Sequence, residues 1–195
     1  MSISAEIARN AVETGFDAFE SSVVEKARNR IIDVMGCAVA GVNASGCSML
    51  LDLMRGWGGS KESTILGAGG KLPVHHAALM NSVLARSYDF EPTGALIEGK
   101  STPSHISGTT VPVALSVGEF KGASGRDVLT AMILGDDVAA RVVAASQLNI
   151  DSGWDSTGTV NVLGAAVAAG RLWNLNQNQM VNALGISLNL EAVKK

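Results

Sequence analysis

The strongest constraint in this chain is a stripe of apolar residues recurring at three- and four-residue steps: Val23, Ala27, Ile31, Val34, Met35, Ala38 and Val39. That period belongs to a helix with one buried face, and no strand can satisfy it. Lys26, Arg28 and Arg30 lie off the stripe, and Gly41 follows as a stop. Ser22 and Glu25 have capping-box spacing, in which a hydroxyl and a carboxylate satisfy orphan N–H groups at the helix start.

Similar patterns fill most of the chain. Ser4–Phe19 and Cys47–Trp57 read as helices, and Pro73 suits the first turn of another that runs to about Tyr88. A fourth pattern covers Thr109–Phe120, with Pro112 in its first turn. Ser124 to Asp127 cap a long helix carrying Leu129, Met132, Ile133, Val138 and Val142. Gly158–Leu172 is rich in small residues, and Asn176–Leu190 closes the series. Residues 62–72 break the pattern, with a short strand-like run at Ser63–Leu66 and glycine turns after it. The expected fold class is all-α, a bundle of seven or eight helices, with residues 1–195 as a single helical domain. Aromatic residues make up only 4% of the chain, which argues against a β-sandwich.

Composition narrows the function. Hydrophobic residues are 47% and charged residues 17%, so the chain can build a core and is not disordered. A formal net charge of −3 and no basic cluster beyond Lys194-Lys195 exclude nucleic acid as an expected partner. No long uncharged apolar run suggests a membrane span, and the first residues lack the pattern of a signal peptide. A cytoplasmic location is therefore expected. Cys37 and Cys47 have no metal-ligand or disulfide pattern, and Cys37 reads as a small buried thiol.

Residues 89–108 have no steady period, contain Pro92 and Pro103, and hold the best chemical candidates. A structureless stretch of this length is usually functional or disordered. Asp89 and Glu91 follow an apolar helix, where the dipole disfavours negative charge. Asp89 either caps a neighbouring helix or serves a site. Ser104, His105, Ser107, Thr109 and Thr110 precede or open a helix, forming either an elaborate N-cap or a place for an anion. His75 and His76 lack a third ligand at metal spacing. Asp136-Asp137 with Arg141 looks like helix-supporting i,i+4 pairing, and Gly67-Ala68-Gly69-Gly70 lacks the lysine of a phosphate loop.

Several segments, in order, resemble the MmgE/PrpD family. They are Ala27-Arg28 with Ile32–Gly41; Asn81–Phe90; Thr102-Pro103-Ser104 with Val111–Leu115 and Glu119; Gly135-Asp136 with Arg141; and Thr157–Val160 with Gly164–Ala166 and Ala183–Ile186. The resemblance implies an enzyme such as 2-methylcitrate dehydratase, cis-aconitate decarboxylase or iminodisuccinate epimerase. These act on small di- or tricarboxylates without a metal or organic cofactor, as homodimers. It also implies that this chain is the first part of a large helical domain, with an α/β lid and its cations lying elsewhere. The alternative is a catalytically inactive helical domain that keeps fold and self-association.

Carried over by position, Asp89 and Thr93 match active-site residues of the family. Its histidine before Pro-Ser falls on Thr102, with His105 three residues later as a substitute, and its other histidine falls near Asp155. The catalytic candidates are thus Asp89, Thr93 and His105, and those for substrate binding are Thr102, Ser104, Ser107 and Lys100. No metal site is expected.

Overall fold

A computed structural model describes residues 2–97, 99–102, 104–146 and 155–192. The helices are α1 (Ile3–Glu13), α2 (Ser21–Gly41), α3 (Cys47–Trp57), α4 (Val74–Arg86), α5 (Ser107–Lys121), α6 (Gly125–Ser146), α7 (Ser156–Leu172) and α8 (Gln177–Ala192). Two short antiparallel ribbons accompany them. One pairs β1 (Ser63–Thr64) with β2 (Lys71–Leu72), and the other pairs β3 (Ala95–Ile97) with β4 (Lys100–Thr102). The fold is all-α.

Sequence signals and observed ends differ in instructive places. The first helix stops at Glu13 and a single 3-10 turn covers Phe16–Ala18, because Gly15 breaks the run. The Ser22–Glu25 capping box does not form. The helix starts two residues earlier, at Ser21 with Glu20 before it, and the Ser22 hydroxyl donates to Glu20 Oε2 at 3.3 Å instead. The helix α5 opens at Ser107, so Pro112 lies inside the helix and not in its first turn. The i,i+4 pairing read for Asp136-Asp137 with Arg141 does form, through Asp137: Arg141 Nε donates to both of its oxygens at 2.9 and 2.8 Å. The Ser124–Asp127 cap does form, with the Asp127 N–H donating to Ser124 Oγ at 3.2 Å and the Ser124 N–H to Asp127 Oδ2 at 3.1 Å.

The central element is α5. Its buried residues include Ser107, Gly108, Thr110, Val111, Ala114, Ser116, Val117 and Gly118, which lie all round the helix. Such a helix belongs in an interior, and α5 packs on α4, α6 and α7. One cluster, around Val34, Met54, Met80, Leu84 and Val111, joins α2 to α5. Another, around Ala8, Leu134, Val167 and Met180, joins α1, α6, α7 and α8. The β1–β2 ribbon is tied to α5 by Glu119, which accepts from the Thr64 N–H at 2.7 Å and pairs with Lys71 Nζ at 2.7 Å. Burial opposes charge on the Glu119 carboxyl, yet the bonds from Lys71 and Thr64 hold it below its ordinary pKa.

Small residues decide how α6 and α7 meet. A Cβ on Gly135 would stand 2.6 Å from the Gly164 carbonyl oxygen, and one on Gly164 would stand 2.7 Å from that of Gly135. Both backbones therefore touch, and no side chain fits between them. A Cβ on Gly164 would also lie 3.1 Å from Thr110 Cγ2, so α5 belongs to the same junction. Gly164→Ala should cost about 1–3 kcal/mol through overpacking. The measurement is a lower urea midpoint at unchanged m-value; an unshifted midpoint would show that the junction relaxes freely.

Candidate active site

The site is assembled where the end of α4 meets the start of α5. Arg86 is the last residue of α4, and the chain then turns through Asp89, whose φ is 58°. This left-handed conformation is uncommon for a side-chain-bearing residue, though aspartate tolerates it better than most. The turn leaves Phe90 exposed and Glu91 buried. The chain next makes the β3–β4 ribbon, which is pinched at its base where the Gly94 N–H donates to the Ser104 carbonyl at 2.8 Å. The excursion therefore returns His105 beside Asp89.

His105 Nε2 lies 3.6 Å from Asp89 Oδ1, and His105 Nδ1 lies 3.0 Å from Glu91 Oε1. Arg86 spans both carboxylates: Nη1 bonds Glu91 Oε1, and Nη2 stands 3.5 Å from Asp89 Oδ1. Asp89 is the solvent-facing member, with 68% of its side chain exposed, whereas the Glu91 side chain is wholly buried. Glu91 can reach this position because Gly108, in the first turn of α5, has no side chain. A Cβ there would stand 3.1 Å from both Glu91 Cγ and Arg86 Cδ. The positive end of the α5 dipole favours a carboxylate in this place.

The helix α7 supplies the support. Asn161 Nδ2 donates to the His105 carbonyl at 2.9 Å, and the His105 N–H donates to Thr157 Oγ1 at 3.5 Å. Asp155, where the sequence comparison placed a histidine, caps α7 by accepting from the Thr157 N–H at 2.9 Å. Behind α5, Asp136 accepts hydrogen bonds from Thr110, from Ser107 at 3.0 Å and from Arg30 at 3.2 Å. A cavity of about 370 Å³ opens beside this network, lined by Arg30, Leu96, Ile106 and Asp136 among others.

The structure thus brings Asp89 and His105 together, with Thr93 exposed on the segment that leaves them. Ser104 is buried and its hydroxyl has no hydrogen-bond partner. The Ser107 hydroxyl is occupied by Asp136 and Arg30. The backbones of Lys100 and Thr102 belong to β4, and their side chains, like Pro103 and Lys194-Lys195, lie outside the described residues. Sequence reasoning missed Arg86, Asn161 and Asp136 as parts of the site and gave Glu91 no role. The one available signal was Asn161, a lone amide in a helix of small apolar residues.

Asp89, Glu91 and His105 have ligand atoms within 4.8 Å of one another, so they are the described residues able to hold a divalent cation. Arg86 already gives both carboxylates a positive partner. Chemically, the arrangement offers a proton-transfer pair, Asp89 and the Nε2 of His105, at an opening to solvent.

The MmgE/PrpD N-terminal domain family model matches residues 5–192. Among curated proteins, the cis-aconitate decarboxylase of Aspergillus terreus (strain NIH 2624 / FGSC A1156) is 25% identical over 193 residues, covering 95% of this chain and 38% of that protein. The cis-aconitate decarboxylases of Mus musculus and Homo sapiens are each 25% identical over 174 residues, covering 86% of this chain and 34% and 35% of theirs. The chain therefore spans little more than a third of the length of these relatives. Among the described residues, no helix is long and apolar enough to cross a membrane.

Asp136 offers a test of the supporting network. Burial pushes its carboxyl above the ordinary pKa, against the hydrogen bonds from Thr110 and Ser107 and the charge of Arg30. A carboxyl with a higher pKa folded than unfolded stabilises the fold at low pH. That contribution is lost as pH rises from about 3.9, the unfolded value, through the folded one. Asp136→Asn should flatten this part of the stability curve, measured as urea midpoints against pH. A variant curve parallel to that of the native protein would exclude Asp136 as the source.

Proposed function

Because the chain belongs to the MmgE/PrpD family, we propose that it is the acid–base part of a lyase or isomerase acting on a small di- or tricarboxylate. The observation that carries this reading is the 3.6 Å approach of His105 Nε2 to Asp89 at a solvent-facing opening, beside the Arg86 guanidinium. Dehydration, decarboxylation and epimerisation of such acids share one demand. A proton must leave or join a carbon next to a carboxylate, while the enolate-like charge is stabilised. Asp89 and His105 supply the proton carriers, and Thr93 offers an exposed hydroxyl on the segment that follows Glu91. The closure of the β3–β4 ribbon at its base, with His105 beside Asp89, supports His105 in the histidine place.

Cis-aconitate is the first substrate to test, since the relatives are named for it; 2-methylcitrate and iminodisuccinate follow from the family. Residues 1–195 read as one helical domain, working without a resident cofactor in the cytoplasm. Self-association into a homodimer is supported by apolar residues exposed on α2, where Ile32 is 69% and Val39 55% accessible. Sedimentation that gives a salt-insensitive monomer would remove the dimer from this reading.

Arg86 is the cation at the described site, and it is committed to Glu91 and Asp89. A polycarboxylate held by so few positive charges regains little beyond what it loses in desolvation. The 195-residue chain alone should therefore bind cis-aconitate weakly, with a Kd on the order of 1 mM, about −4 kcal/mol. It should show no appreciable turnover by ultraviolet absorbance. Titrating cis-aconitate into ¹⁵N-labelled protein should move His105 and the amides of residues 105–109. Saturating acid that leaves these signals in place would sink the proposal.

A further inference from the structure

The structure contains two buried polar atoms that complement each other and are both left without a hydrogen bond: Glu91 Oε2, an acceptor, and His105 Nδ1. Glu91 Oε1 is already taken by Arg86, and Nδ1 stands 3.0 Å from that same oxygen without the direction a hydrogen bond requires. If Nδ1 carried a lone pair, two electron-rich atoms would face each other at that distance in a buried place. A proton on Nδ1 turns the same contact into an attraction.

We propose that Glu91 is a positioning residue that holds the neutral His105 ring in its Nδ1–H tautomer. Its proton-accepting nitrogen, Nε2, then faces Asp89 and the solvent opening. Two further features support this assignment. Glu91 cannot turn away, because its side chain is wholly buried, gripped by Arg86 and closed over by the first turn of α5 at Gly108. The backbone that carries the ring is held as well, since Asn161 donates to the His105 carbonyl and the His105 main-chain N–H faces Thr157. Which imidazole nitrogen bears the proton is set by the hydrogen bond that the other side of the ring makes. With Nδ1 facing Glu91, Nε2 is the nitrogen left to exchange a proton with substrate.

This inference rests on the reading of Asp89 and His105 as the acid–base pair, but its test does not require turnover. Long-range ¹H–¹⁵N correlation spectra of the labelled chain report which ring nitrogen is protonated. His105 is assigned by its loss in His105→Gln, and pH is raised until its signals stop moving, so that the neutral ring is observed. The native chain should show Nδ1 protonated. Glu91→Gln should move the proton to Nε2 in most molecules, changing the tautomer ratio about tenfold or more. Glu91→Asp, which withdraws the carboxylate by one methylene, should shift the ratio in the same direction if Glu91→Gln fails to fold. Protonated Nε2 in the native chain overturns the proposal, and so does an unchanged ratio in a folded Glu91 variant. A merely structural glutamate would alter stability and leave the ratio where it was. If cis-aconitate leaves His105 undisturbed while the tautomer responds to Glu91, the functional reading fails and this one stands.

Discussion

The site depends on how closely α6 and α7 approach at Gly135 and Gly164. Their backbones touch there, and α5 comes to the same point through Thr110. The residue after Gly135 is Asp136, which holds Thr110 and Ser107 from α6. About one turn before Gly164 is Asn161, which holds the His105 carbonyl from α7. Two helices, α6 and α7, thus hold the start of α5 from two sides, because nothing larger than hydrogen separates them at their crossing. Interiors are close-packed, so an added methyl at this junction would be felt at the start of α5 as well.

Electrostatics complete what packing begins. Two carboxylates stand at one helix terminus, and Arg86 compensates for both. The pair of acids is divided by environment: Asp89 is open to water, while Glu91 is enclosed against α5. Exposed and buried acids so close together are suited to different tasks, one meeting a ligand and the other shaping its neighbours. The left-handed turn at Asp89 makes this division, since it leaves Phe90 outside and Glu91 inside.

The helices were largely legible in the sequence, because apolar spacing of 3.6 residues leaves few alternatives. The Ser124–Asp127 cap was legible for the same local reason, and it forms as read. The Ser22–Glu25 box has equally good spacing and does not form. There the chain enters α2 with Glu20 as the cap, and Ser22 is already helical. Such ends are decided by where the preceding segment packs, which a motif of four residues does not contain. The i,i+4 pair of Asp137 with Arg141 is also local, and it forms as read, whereas the partners of Asp136 beside it, Arg30, Ser107 and Thr110, come only with burial and the arrival of α2 and α5.

What the sequence determined by itself was the helical class, the break in helical period at residues 89–108, and the chemical types within that stretch. Those follow from local periodicity and from side-chain chemistry, which the chain carries whatever its fold. Tertiary structure alone decided which of those groups meet. That His105 lies beside Asp89 depends on a ribbon pinched between Gly94 and Ser104. Likewise, the enclosure of Glu91 depends on Gly108 meeting Arg86 from another helix. Distances of a few ångströms between residues far apart in the chain arise from loop closure and helix packing, and neither leaves a periodic trace in the order of amino acids.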